Sequence, residues 1–458
     1  MVPVARITCN KYLFNRLNLL VRSPYRLNKS RTIFETALQQ LSCIEKLFTM
    51  KKILLALTSI ALSPLAAYAQ SSVTLYGIVT GNVTYVNNVQ TAATPAGGKP
   101  TGGSQVALLD SGSSGPSSSR WGLKGTEDLG GGLKTLFVIE SGFSVANGTL
   151  GQGGTLFGRQ AWIGLSAPNY GTASLGRQSD AAVDYVSPLL YAWYFGNLAI
   201  HPADYDNLNF THRINNAVKY SSDAFGGFRF GAQYSFGGIA GNFTQNQYWS
   251  AGFSYTGPSI AVAASIINAR NPNNSLYGTN ANASATGNNL GSAGSATTPE
   301  SNPAISGFAS ARTQQTIAVA STWTIGSAIL GVAWSNTQYR DLGATASLNT
   351  QNYRGTASFN TVGASVRYQV TPFLRVGTSF DYTNGGNLNG LGGARYEQWN
   401  VGAGYSLSKA TELYATAAYQ HASGVDSWGR HAVADIGYLS PSTTSNQVAV
   451  SAGIKHLF

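Results

Sequence analysis

Residues 228–236 read FRFGAQYSF, and residues 399–407 read WNVGAGYSL. In an extended chain successive side chains point to opposite faces. The first stretch then puts Phe228, Phe230, Ala232, Tyr234 and Phe236 on one face and Arg229, Gly231, Gln233 and Ser235 on the other. The second opposes Trp399, Val401, Ala403, Tyr405 and Leu407 to Asn400, Gly402, Gly404 and Ser406. The same two-residue period recurs outward from these stretches. Leu374, Val376, Phe380 and Tyr382 oppose Arg375, Gly377, Ser379 and Asp381; Ile214, Val218 and Tyr220 oppose Arg213, Asn215, Ala217 and Lys219. Near residue 120, Trp121, Leu123 and Gly125 face away from Arg120, Gly122, Lys124 and Thr126. From Val73 to Phe458 the chain reads as half-buried strands.

Composition decides which face is wet. The chain has 458 residues, of which only 10% are charged and 11% aromatic. A water-soluble sheet of this size would carry many Lys and Glu on its outer face, nearer 25% charged overall. With 24 Tyr, 19 Phe and 8 Trp, disorder is excluded as well. A spanning helix needs about 18 apolar residues in a row; the longest candidate, 53–62, contains Thr58 and Ser59 and stops before Pro64. The remaining solution turns the apolar, aromatic faces toward lipid and the Ser, Thr, Gly, Asn and Arg faces toward a wet lumen. Open sheet edges cannot sit in hydrocarbon, so the sheet must close into a barrel.

Connections support this all-β, antiparallel, up-and-down transmembrane barrel. Short turns fall at 128–133, 167–172, 223–227, 257–258, 326–327, 370–372 and 408–411. Longer polar segments alternate with them at 88–116, 145–155, 180–211, 238–246, 271–311, 339–354, 385–395 and 422–445. Seven turns and eight loops predict 16 strands. The last strand carries Val448, Val450, Ala452, Ile454, His456 and Phe458 on one face and stops at an aromatic residue.

Residues 50–69, MKKILLALTSIALSPLAAYA, have the layout of a secretory signal: Lys51 and Lys52, an apolar stretch, and Ala67-Tyr68-Ala69 as the cleavage site. The expected start of translation is Met50, which makes 1–49 a non-mature extension and 70–458 the exported barrel. Both cysteines, Cys9 and Cys43, lie in that extension. The formal net charge of +11 also shrinks, since 19 basic and 16 acidic residues follow position 69. A nucleic-acid partner is therefore not expected.

Four stretches together carry a family resemblance: SSVTLYGIVTGNVTYV (71–86), SSRWGLKGTEDLGGGLKTLFVIE (118–140), FGRQAWIGLSAPNYGTASLGRQSD (157–180) and HRINNAVKYSS (212–222). They look like the general porins of Gram-negative bacteria and are most similar to the beta-proteobacterial branch. The likeness runs over essentially all of 70–458. It implies a sixteen-stranded, homotrimeric outer-membrane barrel whose third loop, here 180–211, folds into the lumen and narrows it. Phe458 resembles the terminal residue read by the barrel assembly machinery. Arg120, Arg159, Arg177 and Arg213 match the basic wall opposite that loop. Alternation independently puts Arg120 and Arg213 on the polar face and leaves Arg159 and Arg177 undecided. Where enterobacterial porins carry Pro-Glu-Phe-Gly-Gly in this loop, the chain reads Trp193-Tyr194-Phe195-Gly196-Asn197, without the carboxylate. Asp204 and Asp206 are the expected acidic counterparts.

The expected function is passive diffusion of ions and small hydrophilic solutes, weakly anion-selective, without catalysis, cofactor or metal. A substrate-specific channel would need aromatic residues along the lumen, and most lie on the opposite face. The five histidines show no zinc spacing, and neither a nucleophile elbow nor a phosphate loop occurs. A barrel-embedded hydrolase would have to use Asp204, Asp206, His201 and His212, which constriction charges explain more simply. An adhesin would need a plugged lumen.

Overall fold

The computed structural model describes residues 72–91, 100–272, 302–388, 390 and 392–458. The expected extension and signal, 1–69, and most of the polar segment 271–311 lie outside them.

The strands are β1 (Ser72–Gln90), β2 (Gly102–Asp110), β3 (Arg120–Gly130), β4 (Leu133–Gly142), β5 (Gln160–Ala167) and β6 (Gly171–Gln178). β7 (Ile214–Ser221), β8 (Phe228–Ser235), β9 (Tyr248–Thr256), β10 (Ile260–Arg270), β11 (Thr313–Ile325) and β12 (Ala328–Leu342) follow. The last are β13 (Gly355–Gln369), β14 (Leu374–Gly385), β15 (Arg395–Ser406), β16 (Thr411–Ser423) and β17 (Asn446–Leu457). All belong to one 17-membered antiparallel sheet, and β17 returns to pair with β1. Closure runs from Ile78↔Leu457 to Val86↔Ala449. Phe458 completes it by exchanging backbone bonds of 3.0 and 3.1 Å with Gly77.

Seventeen segments make 16 barrel positions because β2 and β3 share one. Both pair with the same edge of β1, β2 along 81–90 and β3 along 72–78. Between them, residues 111–119 leave the wall. The Ser119 hydroxyl bridges the gap, accepting from Thr80 N at 3.1 Å and donating to Thr80 O at 2.9 Å. The expected single loop 88–116 is therefore corrected: it contains strand β2 and an excursion. All seven expected short turns are present. At the first, Gly130, Gly131 and Gly132 all have positive φ, which a side chain would resist.

The two sheet faces are inverted relative to a soluble protein. Trp399 and Val362 are more than half exposed, whereas Gln420, Thr337 and Ser451 are fully buried. Aromatic residues pair across strands on the outer face, as Phe380 with Trp399 at 4.5 Å between ring centres. On the inner face buried polar groups satisfy one another, as polar groups removed from water must. Gln420 Nε2 donates to Gln398 Oε1 at 2.7 Å, and the Thr316–Thr337 and Thr361–Thr383 hydroxyl pairs are 2.8 Å apart.

The segment between β6 and β7 touches this polar face across much of the barrel. Gln314 of β11 donates to Tyr205 O at 2.8 Å, and Ser335 of β12 to the Asp206 carboxylate at 2.6 Å. Tyr191 Oη donates to Gly377 O of β14 at 3.2 Å, and Gln398 of β15 to Leu198 O at 2.7 Å. Phe195 packs so tightly on β14 and β15 that a Cβ at Gly377 or Gly402 would lie 2.5 Å from its ring. The excursion 111–119 meets the same segment, where Asn197 N donates to Gly115 O at 3.0 Å.

Candidate functional site: the constriction

Every second strand of an antiparallel sheet runs the same way. β3, β5 and β7 therefore begin at the same end, and each begins at an arginine. Arg120 is the first residue of β3, while Arg159 and Arg213 immediately precede β5 and β7. All three line a water-accessible cavity of about 960 Å³. Glu140, near the end of β4, sits between two of them. Its Oε1 accepts from Arg159 Nε at 2.7 Å, and its Oε2 lies 3.7 Å from Arg120 Nε. Tyr76 Oη adds a 3.0 Å bond to Oε2.

Arg213 has no carboxylate within ion-pair reach among the described residues. It donates to Thr211 O at 3.0 Å and stacks its guanidinium 4.2 Å from the centre of the Phe210 ring. Arg159 approaches the same ring at 6.0 Å. The wall thus holds three guanidiniums and three carboxylates, Asp110, Glu140 and Asp184, of which Glu140 alone pairs with the arginines. Asp184 also lines the cavity but is engaged by Lys219. Asp110 accepts backbone bonds from Gly112 at 2.8 Å and Ser119 at 3.3 Å.

Arg177 is arranged differently. It lies opposite a bulge in β7: β6 steps from Gly176 to Gln178 while β7 steps from Ala217 to Ile214. Its guanidinium donates to Gly158 O at 2.8 Å, to Arg213 O at 3.2 Å, and to the Asn215 side chain. It braces the backbone beside Arg159 and at Arg213 and does not line the cavity.

Nor do Asp204 and Asp206 line it; they are 1% and 0% exposed. Asp204 accepts from Asn209 N at 3.0 Å, Thr211 N at 3.1 Å and Thr211 Oγ1 at 2.6 Å. Burial and the neighbouring Asp206 push its carboxyl up to about 7. Asp206 accepts from His201 Nδ1 at 2.6 Å, and His201 Nε2 lies 3.8 Å from Asp381 of β14. Burial opposes ionisation of Asp206, but the His201 imidazolium outweighs it and holds the carboxyl below its usual range. The same pairing, working against burial, raises His201 well above the imidazole range. His212 goes the other way: burial and the Arg213 charge lower it to about 3. These two aspartates fasten the loop and do not face the arginines across the passage.

Alternation alone does not single out Glu140. It shares its face with Lys134, but Leu136 and Val138 stand between them and hide the inward register.

The family model for Gram-negative porins matches residues 56–425. An outer membrane porin of Bordetella pertussis is 38% identical over 199 residues, 41% of this chain and 48% of that protein. Outer membrane porin protein 32 of Delftia acidovorans is 40% identical over 195 residues, 41% of this chain and 50% of that one. The chain thus spans about half the length of the curated relatives it matches. Among solved structures, an anion-selective porin from Comamonas acidovorans superimposes with a TM-score of 0.60 at 23% identity, covering 85% of this chain and all of that one. The sequence match, the closed 16-position barrel and the arginine-lined cavity lead to one conclusion: this chain belongs to the Gram-negative porin family.

Proposed function

We propose that the chain is an outer-membrane general diffusion channel that passes ions and small hydrophilic solutes and weakly prefers anions. What carries this reading is the cavity wall, where Arg120 and Arg159 share the Glu140 carboxylate and Arg213 has no carboxylate in ion-pair reach among the described residues. Fixed charges in a narrow passage with low-dielectric walls orient permeating dipoles and raise the local concentration of counter-ions. Glu140 is shared by two arginines and Asp184 is paired with Lys219, so the Arg213 guanidinium, which has no carboxylate partner among the described residues, biases that field toward anions. Arg177 supports the wall by holding its backbone. The similarity to a porin described as anion-selective agrees with this reading.

The channel works as a homotrimer embedded in outer-membrane lipid; an outer membrane protein of Vibrio cholerae with this fold was solved in a trimer form. Residues 50–69 direct export, and 70–458 is the mature barrel. Phe458, paired to Gly77 with its ring exposed, is the feature the barrel assembly machinery reads. The test is the current through single channels in a planar bilayer under a salt gradient. Stepwise openings are expected, with an anion-signed reversal potential that shrinks in Arg120→Ala and Arg213→Ala. Folded protein without conductance would refute the channel reading.

A further inference from the structure

The turn carrying Phe210 and Arg213 is held in a conformation its own backbone resists. Ala203, Asp204, Asn207 and Phe210 all have positive φ, between 45° and 61°. Residues other than glycine adopt this region rarely, and only when their surroundings enforce it. Thr211 stands at the centre of what enforces it here. Its backbone N and its hydroxyl both donate to Asp204, and its carbonyl accepts from Arg213.

The Thr211 hydroxyl has a second partner. Tyr438, in the loop between β16 and β17, brings its Oη to 2.5 Å from Thr211 Oγ1. A threonine hydroxyl has one proton to give. With Asp204 ionised and holding that proton, Tyr438 is the donor to Thr211. The result is a one-way chain, Tyr438 to Thr211 to Asp204, beside the guanidinium of Arg213.

The far end of the chain rests on the barrel wall. Tyr438 is itself at positive φ, 59°. Just before it, Ile436 is fully buried, and its backbone N donates to Gln447 Oε1 of β17 at 3.1 Å. Asp435 N donates to Gln420 Oε1 of β16 at 2.5 Å. Ile436 also packs with Leu198 of the β6–β7 segment and with Val86 and Val89 of β1. Tyr438 and Phe210 both line the cavity, so the contact lies at the edge of the passage.

We propose that Tyr438 is a positioning residue for the constriction: its hydroxyl, acting through Thr211 and Asp204, fixes the turn that presents Phe210 and Arg213 to permeating solutes. Asp204 is then the buried end of a brace, and the last loop sets the selectivity of the third. This inference rests on the diffusion-channel reading.

The experiment is single-channel conductance and reversal potential of the full-length protein in planar bilayers under a KCl gradient, comparing Tyr438→Phe, Thr211→Val and Thr211→Ser. Heat-dependent gel mobility verifies folding of each. Tyr438→Phe removes one oxygen and no charge. It is expected to move the anion-to-cation permeability ratio toward unity by about twofold, as a loosened fixed charge would. Thr211→Val should match it, Thr211→Ser should keep the parent values, and the double variant Tyr438→Phe/Thr211→Val should add nothing. A folded Tyr438→Phe channel with the parent reversal potential would overturn the inference while leaving the channel reading intact. So would a Thr211→Ser channel that behaves like Thr211→Val. Absence of current from the folded parent would instead remove the channel reading itself.

Discussion

Glu140 keeps the three-arginine wall from being uniformly positive. Replacing it with glutamine preserves its shape and some hydrogen bonding and removes the charge that Arg159 and Arg120 share. Glu140→Gln should therefore strengthen anion preference, by about twofold or more in permeability ratio, since the fixed field then lacks the carboxylate that pairs with the arginines. An unchanged or more cation-signed reversal potential would show that Glu140 is electrically silent. His201 carries a pH prediction. Its folded-state pKa is raised, so its contribution is complete below the unfolded value of about 6.5 and is lost as pH rises through the raised value. Asp206 is depressed, so its contribution is present above its unfolded value of about 3.9 and is lost as pH falls through the depressed one. The loop anchor should hold across neutral pH and loosen in alkali, which current noise recorded from pH 7 upward would register. A noise level flat with pH in the parent, or the same rise in His201→Gln, would contradict it. At this scale the sequence is partly legible. Arg120 is readable because alternation holds through β3; Arg213 lies beside a bulge in β7, where Asn216 has φ 50° and Ile214, expected on the outer face with Val218, is fully buried. Arg177 is not readable, because the extra residue that frees its bonding partners is in β7, at Asn215 and Asn216, and Asp204 and Asp206 look like pore charges until their bonding partners are seen.

Strands and turns are where sequence reading does best, because the two-residue period and the glycine turns are local signals. Gly130 to Gly132 mark their turn without any tertiary information. The interruption between β2 and β3 fails that test. SGSSGPSSS at 111–119 has the composition of a surface loop, and the nine residues of β2 carry too few large apolar side chains to stand out. What makes 111–119 an inward excursion is long-range: Ser114 bonds to Thr84 at 2.8 Å and to Asn82 at 3.1 Å, and Asn197 closes over Gly115. The closing seam offers a sharper test of element packing. A Cβ at Gly77 would lie 2.3 Å from the Phe458 ring and 2.7 Å from Arg120 O. Gly77→Val should destabilise the barrel by about 1–3 kcal/mol, the usual cost of overpacking. The temperature at which the folded gel band disappears should fall accordingly, and a band as heat-resistant as the parent's would contradict the packing argument.

The whole molecule is turned inside out relative to a soluble sheet, and that inversion makes a quantitative prediction. Val362 lies at the middle of β13, more than half exposed, between Trp334 and Tyr382 on the neighbouring strands. Val362→Arg should cost about 2–4 kcal/mol, the range for arginine at the middle of a lipid-facing wall. Denaturant titration in lipid vesicles would measure it. A cost near zero would mean that Val362 meets water.

The seam also fixes an order of events. The side chain of Asn87 accepts from Val448 N across a sequence separation of 361 residues. Long loops are costly to close, and contacts this remote form late. Until β17 arrives, β1 and β16 each present an unpaired edge, able to recruit any other extended chain. The barrel therefore has no stable partial version. A chain that stalls one strand short is a hazard rather than a smaller pore, and escape from degradation or aggregation becomes a race decided by the final dozen residues.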